Sequence, residues 1–387
     1  MTAPATHTAA IPAATVQSHA SFLLQLPDKT LLCAWFGGSQ EGLPDICIWL
    51  SRKPPGSNQW SSPTKISSDE GRSCQNPVLF RDPIEGGKLW LFHTSQELGD
   101  QDSAVVVVRT STDDGKTWSA PCFPLGEGVR GAFVRQPVVV LADGSWALPV
   151  FRCRAKEGER WIGNDDISAV FCSRDRGDTW VETVVPNSFG CVHMNIVPPV
   201  PGSSGEEYVA LFRSRWADNV YRSTSPDGIS WAEPEAILSL PNPNSGIGAA
   251  RLPSGKIALV FNKTSHEPGQ ATRQGLYDDI TPEADKRPDQ AAPHRGGKTA
   301  IWGTPRGALT LGISADGGRT WETQRLLEAG DGFCMTNDSR EKTNRELSYP
   351  SLVVEEDGSG HVAYTFHRQF IKYVRISDVE GWVEGSQ

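Results

Sequence analysis

Short apolar runs separated by polar turns recur along the whole chain. "LLCAWF", "LWLFH", "WALPVF", "YVALF", "KIALVF" and "HVAYTF" each follow a turn rich in Gly, Asp, Ser, Lys or Glu. Runs of this length, bounded by turn residues, read as buried strands. Little of the chain reads as a helix, and the pattern predicts an all-β fold.

A second pattern alternates with the first. "STDDGKTW" (111–118), "SRDRGDTW" (173–180) and "SADGGRTW" (314–321) share Ser-x-Asp-x-Gly-x-Thr-Trp, and "STSPDGISW" (223–231) is a degenerate copy. Trp60 in "GSNQWSSP" and Trp382 in "SDVEGW" read as eroded fifth and sixth copies. In such a turn the Ser and Asp side chains bond nearby amides, Gly takes a positive φ, and Trp packs back across it. Pairing each turn with an apolar run gives six units of roughly 55 to 65 residues, the size of a four-stranded propeller blade. The expectation is one β-propeller domain over residues 1–387, six-bladed by repeat count, with the long interval 254–321 able to conceal a seventh blade. Residues 1–15 read as an N-terminal extension, and the polar, Pro-rich stretch at about 266–300 as a surface insertion.

Composition narrows the function classes. A net charge of −9 speaks against a sequence-independent grip on phosphate backbones, so no nucleic-acid partner is expected. No run approaches the ~20 apolar residues of a membrane helix, so no membrane partner is expected. The start, "MTAPATHTAAIPAATV", has no charged segment ahead of an apolar one. It reads as lacking a signal peptide, which leaves the cytoplasm, or secretion with the signal removed, as locations. Eight cysteines are scattered without CxxC pairs and read as buried, reduced thiols, with a disulfide-bearing secreted protein as the alternative. HExxH, EF-hand, Cys/His-quartet and phosphate-loop spacings are all missing, so no metal and no cofactor are expected. The chain is expected to be a monomer.

The Trp-bearing turns resemble the Asp boxes of the sialidase-like (BNR-repeat) propeller superfamily, over roughly residues 15–380. That resemblance implies a sialidase-like propeller whose Asp boxes lie on outer turns and say little about chemistry. It also implies an arginine cluster for a substrate carboxylate, a Tyr-Glu nucleophile pair and an aspartic general acid. "RELSYPSLV" resembles the sialidase tyrosine segment and offers Arg345, Glu346 and Tyr349. Arg213 or Arg215 would be a carboxylate-binding arginine, and "GGSQEGLPD", with Glu41 and Asp45, could supply the acid. The sialidase Arg-Ile-Pro signature is missing its arginine in "AAIPAA", and His19 follows in "SHASFLLQL". The whole pattern, including "CVHMNIV", "FRSRWADN", "LPNPNSGI", "LEAGDGFC" and "NRELSYPSL", resembles the fungal L-rhamnose-α-1,4-D-glucuronate lyases. These remove rhamnose caps from gum arabic side chains.

Strand parity and charge pick out the candidate residues. His193 and Asn195 are two apart and should share a strand face, as should Arg213 and Arg215. Burying two arginines is costly without an anion, which would be Asp218 or a bound carboxylate. A uronate lyase must neutralise that carboxylate, remove the C5 proton and protonate the leaving oxygen. The expected catalytic set is His193, Tyr349, Arg215 and His93, with His193 and Tyr349 sharing the acid and base roles. The expected substrate-binding set is Arg135, Arg213, Asn195, Asp218, Asn76 and Asn244, with Gln75 and Asn242 as neighbouring amides. Each has a plain alternative as a satisfied core or turn residue. The expected substrate is an acidic plant polysaccharide or oligosaccharide cleaved at its non-reducing end. An exo-α-sialidase and a non-catalytic glycan-binding propeller are the alternatives.

Overall fold

The computed structural model describes residues 6–385 except 68, 70, 85, 127, 204 and 281–296. Its strands form six antiparallel sheets that follow one another along the chain as the six blades of a propeller. From the axis outward, blade 1 runs Gln17–Gln25, Leu31–Gly38, Cys47–Lys53 and Thr64–Lys65. Blade 2 runs Ser73–Arg81, Leu89–Glu97 and Asp100–Ser111, with a single Val108–Cys122 bridge where a fourth strand would lie. The inner strands of blades 4, 5 and 6 are Cys191–Val197, Gly248–Arg251 and Leu347–Val354. In blade 3 the inner strand is broken into Ala132–Val134 and Val139–Val140.

Residues 6–11 are not an extension. Thr6–Ile11 pairs antiparallel with Phe370–Ile376, from Thr6↔Ile376 to Ile11↔Ile371, as the outermost strand of blade 6. The first strand of the chain thereby completes the last blade and closes the ring. The described residues form no seventh blade: the interval 263–308 joins the second and third strands of blade 5. The expected insertion at 266–300 falls partly on 281–296, outside the described residues. Its described flanks are not mere surface: Tyr277 is buried and its hydroxyl accepts hydrogen bonds from Gln75, Gln96 and Gln101.

The repeated turns form as their residues dictate. Asp113 accepts from the amides of Lys116 and Thr117 at 3.0 and 2.9 Å, while Ser111 Oγ accepts from the Gly115 amide at 2.7 Å. Ser173, Ser225 and Ser314 accept a turn glycine amide in the same way, and all four turns leave the third strand of a blade, far from the axis. Trp382 departs from the expected pattern. It lies on the short helix Val379–Glu384, capped by Asp378, with Arg325 stacked 4.4 Å from its ring. Apolar faces of adjacent blades pack together as the core, and seven of the eight cysteines are buried within the fold as free thiols.

The inner strands share one irregularity. In blades 1, 2, 4 and 6 the register breaks beside a residue at positive φ: Ala20 (+59°), Asn76 (+50°), His193 (+54°) and Tyr349 (+52°). A bulge inserts one extra residue and re-aims side chains. For His193 and Tyr349 a left-handed conformation is also costly, and such strain gathers at functional sites.

Candidate functional site

Tyr349 is the centre of a buried polar cluster at the propeller axis. Arg213 Nη1 donates to its hydroxyl, and the same nitrogen lies 3.4 Å from His193 Nε2. Arg213 Nε donates to Asn244 Oδ1 at 2.7 Å. Arg135, from the break in blade 3, lies 5.5 Å over the Tyr349 ring and donates to the carbonyls of Tyr349 and Pro350 at 3.0 and 3.2 Å. His193 meets the same ring edge-on at 5.4 Å, and His19 lies tilted against it at 4.3 Å. Gly248 permits the close approach of blade 5 to blade 6, since a Cβ there would meet Pro350 O at 2.9 Å.

A second half of the cluster is paired through carboxylates. Glu346 accepts from Arg306 at 2.8 Å, from Ser348 at 2.7 Å, and from Arg368. Arg368 also reaches Glu41 at 2.6 Å. His19 Nδ1 bonds Thr365 Oγ1 at 2.9 Å, with its Nε2 3.4 Å from Arg368. Burial opposes the Glu346 charge, but Arg368 and Arg306 hold its carboxyl well below the usual range.

The two halves differ in charge balance. Arg306 and Arg368 share two carboxylates, whereas Arg135 and Arg213 have none among the described residues. Arg213 is 1% exposed and Arg135 2%. Burial lowers their pKa values to about 9 and about 10. Burial, then Arg213 and Arg135, hold His193 well below 6.5, so its imidazole is neutral near pH 7. The result is a compact, buried, electropositive cluster suited to an anion, with a neutral imidazole and a phenol beside it.

The structure brings together five of the expected residues: His193, Tyr349, Arg135, Arg213 and Asn244. Asn76 holds the corresponding bulge in blade 2, its Oδ1 without a partner among the described residues. The others lie elsewhere. Arg215 does not join Arg213, because it leaves the strand end and pairs with Asp166 at 2.8 Å. There its guanidinium lies 5.0 to 5.5 Å from Trp302, Phe151 and Trp161, a closed aromatic box. Asp218 is not the arginines' anion. It accepts from Ser214, Tyr221 and Lys298. Asn195 does not share the face of His193, because the register shift between Val192 and Asn195 breaks the two-residue period; it bonds both backbone groups of Ala249. His93 is buried beside Asp69 and Cys74, apart from Tyr349, and burial takes its pKa down to about 4. Asp45 caps a turn at Ser39, and Arg345 pairs with Asp331 at the surface.

Arg306 and Arg368 were not apparent as site residues. The signal for Arg368 is a hairpin tip: His367 and Arg368 are both at positive φ, where Asn and Gly are usual. Arg306, in "TPRGAL", carries no comparable signal, since its loop follows a long insertion.

The BNR repeat-like domain family matches residues 29–362. Among curated proteins, xyloglucanase Xgh74A of Acetivibrio thermocellus is 29% identical over 180 residues, which is 42% of this chain and only 19% of that protein. Among solved structures, the Hadza microbial sialidase Hz136 superposes with a TM-score of 0.66 at 16% identity, covering 92% of this chain and 65% of its own. A protein of unknown function from Dyadobacter fermentans superposes with a TM-score of 0.68 at 16% identity, covering 97% and 99%. At these identities the structural likeness speaks for the fold, a sialidase-like propeller.

Proposed function

The chain belongs to the BNR repeat-like domain family, and on that footing we propose that it is a carbohydrate-active lyase that cleaves an acidic glycan by β-elimination. The bond is that between non-reducing-end L-rhamnose and D-glucuronate in a plant polysaccharide such as gum arabic. One observation carries this reading. Arg135 and Arg213, both buried, lie against Tyr349 without a carboxylate among the described residues, so the cluster calls for an anionic ligand. A uronate carboxylate would supply the missing charge and bring its C5 proton to His193 and Tyr349.

The chemistry then balances without water. The C5 proton passes to one member of the His193–Tyr349 pair, the electron pair forms the C4–C5 double bond, and the C4–O bond breaks. The other member protonates the departing oxygen, which leaves as the anomeric hydroxyl of rhamnose. Arg213 touches both groups and stabilises charge as it shifts between them. Carboxylate binding also offsets the arginine charge that, after burial, holds His193 down, returning part of its basicity when it is needed.

The sialidase reading shares the tyrosine and the arginines. It requires a carboxylate to activate Tyr349, yet the Tyr349 hydroxyl is held by Arg213, and Glu346 is occupied by Arg306, Arg368 and Ser348. The test is incubation with gum arabic, following ultraviolet absorbance of the unsaturated uronate together with released rhamnose. Both should rise together. Release of sialic acid from a sialoside, with no absorbance change on gum arabic, would overturn the lyase reading in favour of the sialidase one.

A further inference from the structure

His93, excluded from the axis by its position, lies in a cluster of its own at the junction of blades 1 and 2. Asp69 belongs to the connection between the blades, Cys74 to the inner strand of blade 2 and His93 to its second strand. One ligand atom from each lies within 4.8 Å of the other two. Cys74 and His93 are completely buried. His93 Nδ1 lies 3.4 Å from the Thr94 carbonyl, which suits an Nδ1–H donor. Its Nε2, buried with them, has no partner among the described residues. That leaves Nε2 with the lone pair, the arrangement in which a second partner fixes the tautomer of a metal-binding imidazole.

From this geometry we infer that Asp69, Cys74 and His93 form a zinc site. The donor set of one thiolate, one imidazole and one carboxylate suits Zn²⁺ by softness, and a water completes the tetrahedron. The ligand atoms need to draw in modestly from their present separations. Arg109 lies 3.5 Å from Asp69 Oδ1, which leaves Oδ2 for the ion and makes Arg109 the orienting partner of the ligating carboxylate. Asp69 also lines a groove of about 500 Å³ with Arg72, Glu97 and Phe123, which gives the ion and its water a route in. On binding, the Cys74 thiol gives its proton to solvent as the Zn–S bond forms. The ion would tie the connection between blades to the strand that carries Asn76, two residues beyond Cys74. Asp-x₄-Cys-x₁₈-His matches no familiar zinc spacing, which is why the sequence predicts no metal.

The test is titration of the full chain, stripped with a chelator, with Co²⁺ and then Zn²⁺. One equivalent of Co²⁺ should produce a thiolate-to-cobalt charge-transfer band and tetrahedral visible bands. One equivalent of Zn²⁺ should abolish both and raise the melting temperature. Cys74→Ser should lose the charge-transfer band, and His93→Gln should weaken cobalt binding by 10-fold or more. No charge-transfer band in the wild-type chain would overturn the site, without recourse to variants that must fold. A band of unchanged strength in Cys74→Ser would equally overturn it, pointing to another thiol such as exposed Cys122.

Discussion

The two halves of the axial cluster are built from the same residue types and solve opposite problems. Around Glu346, Arg306 and Arg368 are each paired with a carboxylate, and the network is finished in charge. Around Tyr349, Arg135 and Arg213 are equally buried but rest on carbonyls, an amide and a phenol. A buried cation without a counterion is a standing cost, kept where binding an anion recovers it. Arg215 belongs with the finished half in this respect. Two residues from Arg213, it has Asp166 and three aromatic rings for company.

The comparison is broken most directly at its two central residues. Glu346→Gln leaves Arg306 and Arg368 short of charge, and should cost about 3–5 kcal/mol of stability in denaturant unfolding. A loss under 1 kcal/mol would mean that the paired half is not structural. Arg213→Met should do the reverse, lowering turnover by about 10²–10³-fold while unfolding at an equal or higher denaturant concentration. If both activity and stability fall steeply, Arg213 is a structural residue and the contrast fails.

A ligand should distinguish the halves more gently. Glucuronate at 100 times its dissociation constant should stabilise the wild-type chain by about 2.7 kcal/mol, and Arg135→Met should remove most of that gain. Equal stabilisation of both proteins would place the anion elsewhere.

Acid should then probe the histidines on both sides. Burial holds His19 and His193 well below 6.5. Between pH 6.5 and those lowered values, the unfolded chain binds protons that the native chain does not. Their contribution is therefore full above pH 6.5 and is lost as pH falls, by about 1.4 kcal/mol per pH unit for each histidine. Glu346, whose pKa is depressed from 4.5, adds to the loss at lower pH. Unfolding free energies measured between pH 7 and 5 should show the slope, and His193→Gln should reduce it by one histidine's share. A flat profile would mean that these rings are protonated in the fold.

The smallest effect belongs to the outer turns. Ser111→Ala removes the acceptor of the Gly115 amide and should cost about 1 kcal/mol with activity unchanged. Lost activity would mean that the turns communicate with the axis.

The Ser-x-Asp-x-Gly-x-Thr-Trp turns, the apolar strands and hence six blades were legible in the sequence, because each is a local pattern with a local physical cause. Strand parity does not hold at His193/Asn195 and Arg213/Arg215 for an equally definite reason. A bulge resets the two-residue period, and a residue beyond the strand end is not bound by it. Asp218 was the wrong anion because nearness in sequence does not set pairing: Asp166, 49 residues from Arg215, arrives from the neighbouring blade. Thr6–Ile11 was unreadable as the closing strand, since its partner lies at the other end of the chain.

The sequence by itself determined the repeated unit, its number and the presence of ionisable residues near strand ends, because backbone turns and side-chain hydrophobicity act over a few residues. Which of those residues meet at the axis was decided only by the tertiary structure. Closing the ring brings together inner strands of different blades, and four of them bulge there. Charge compensation in that buried space then depends on distances between residues as far apart as Glu41 and Arg368, which no local pattern encodes.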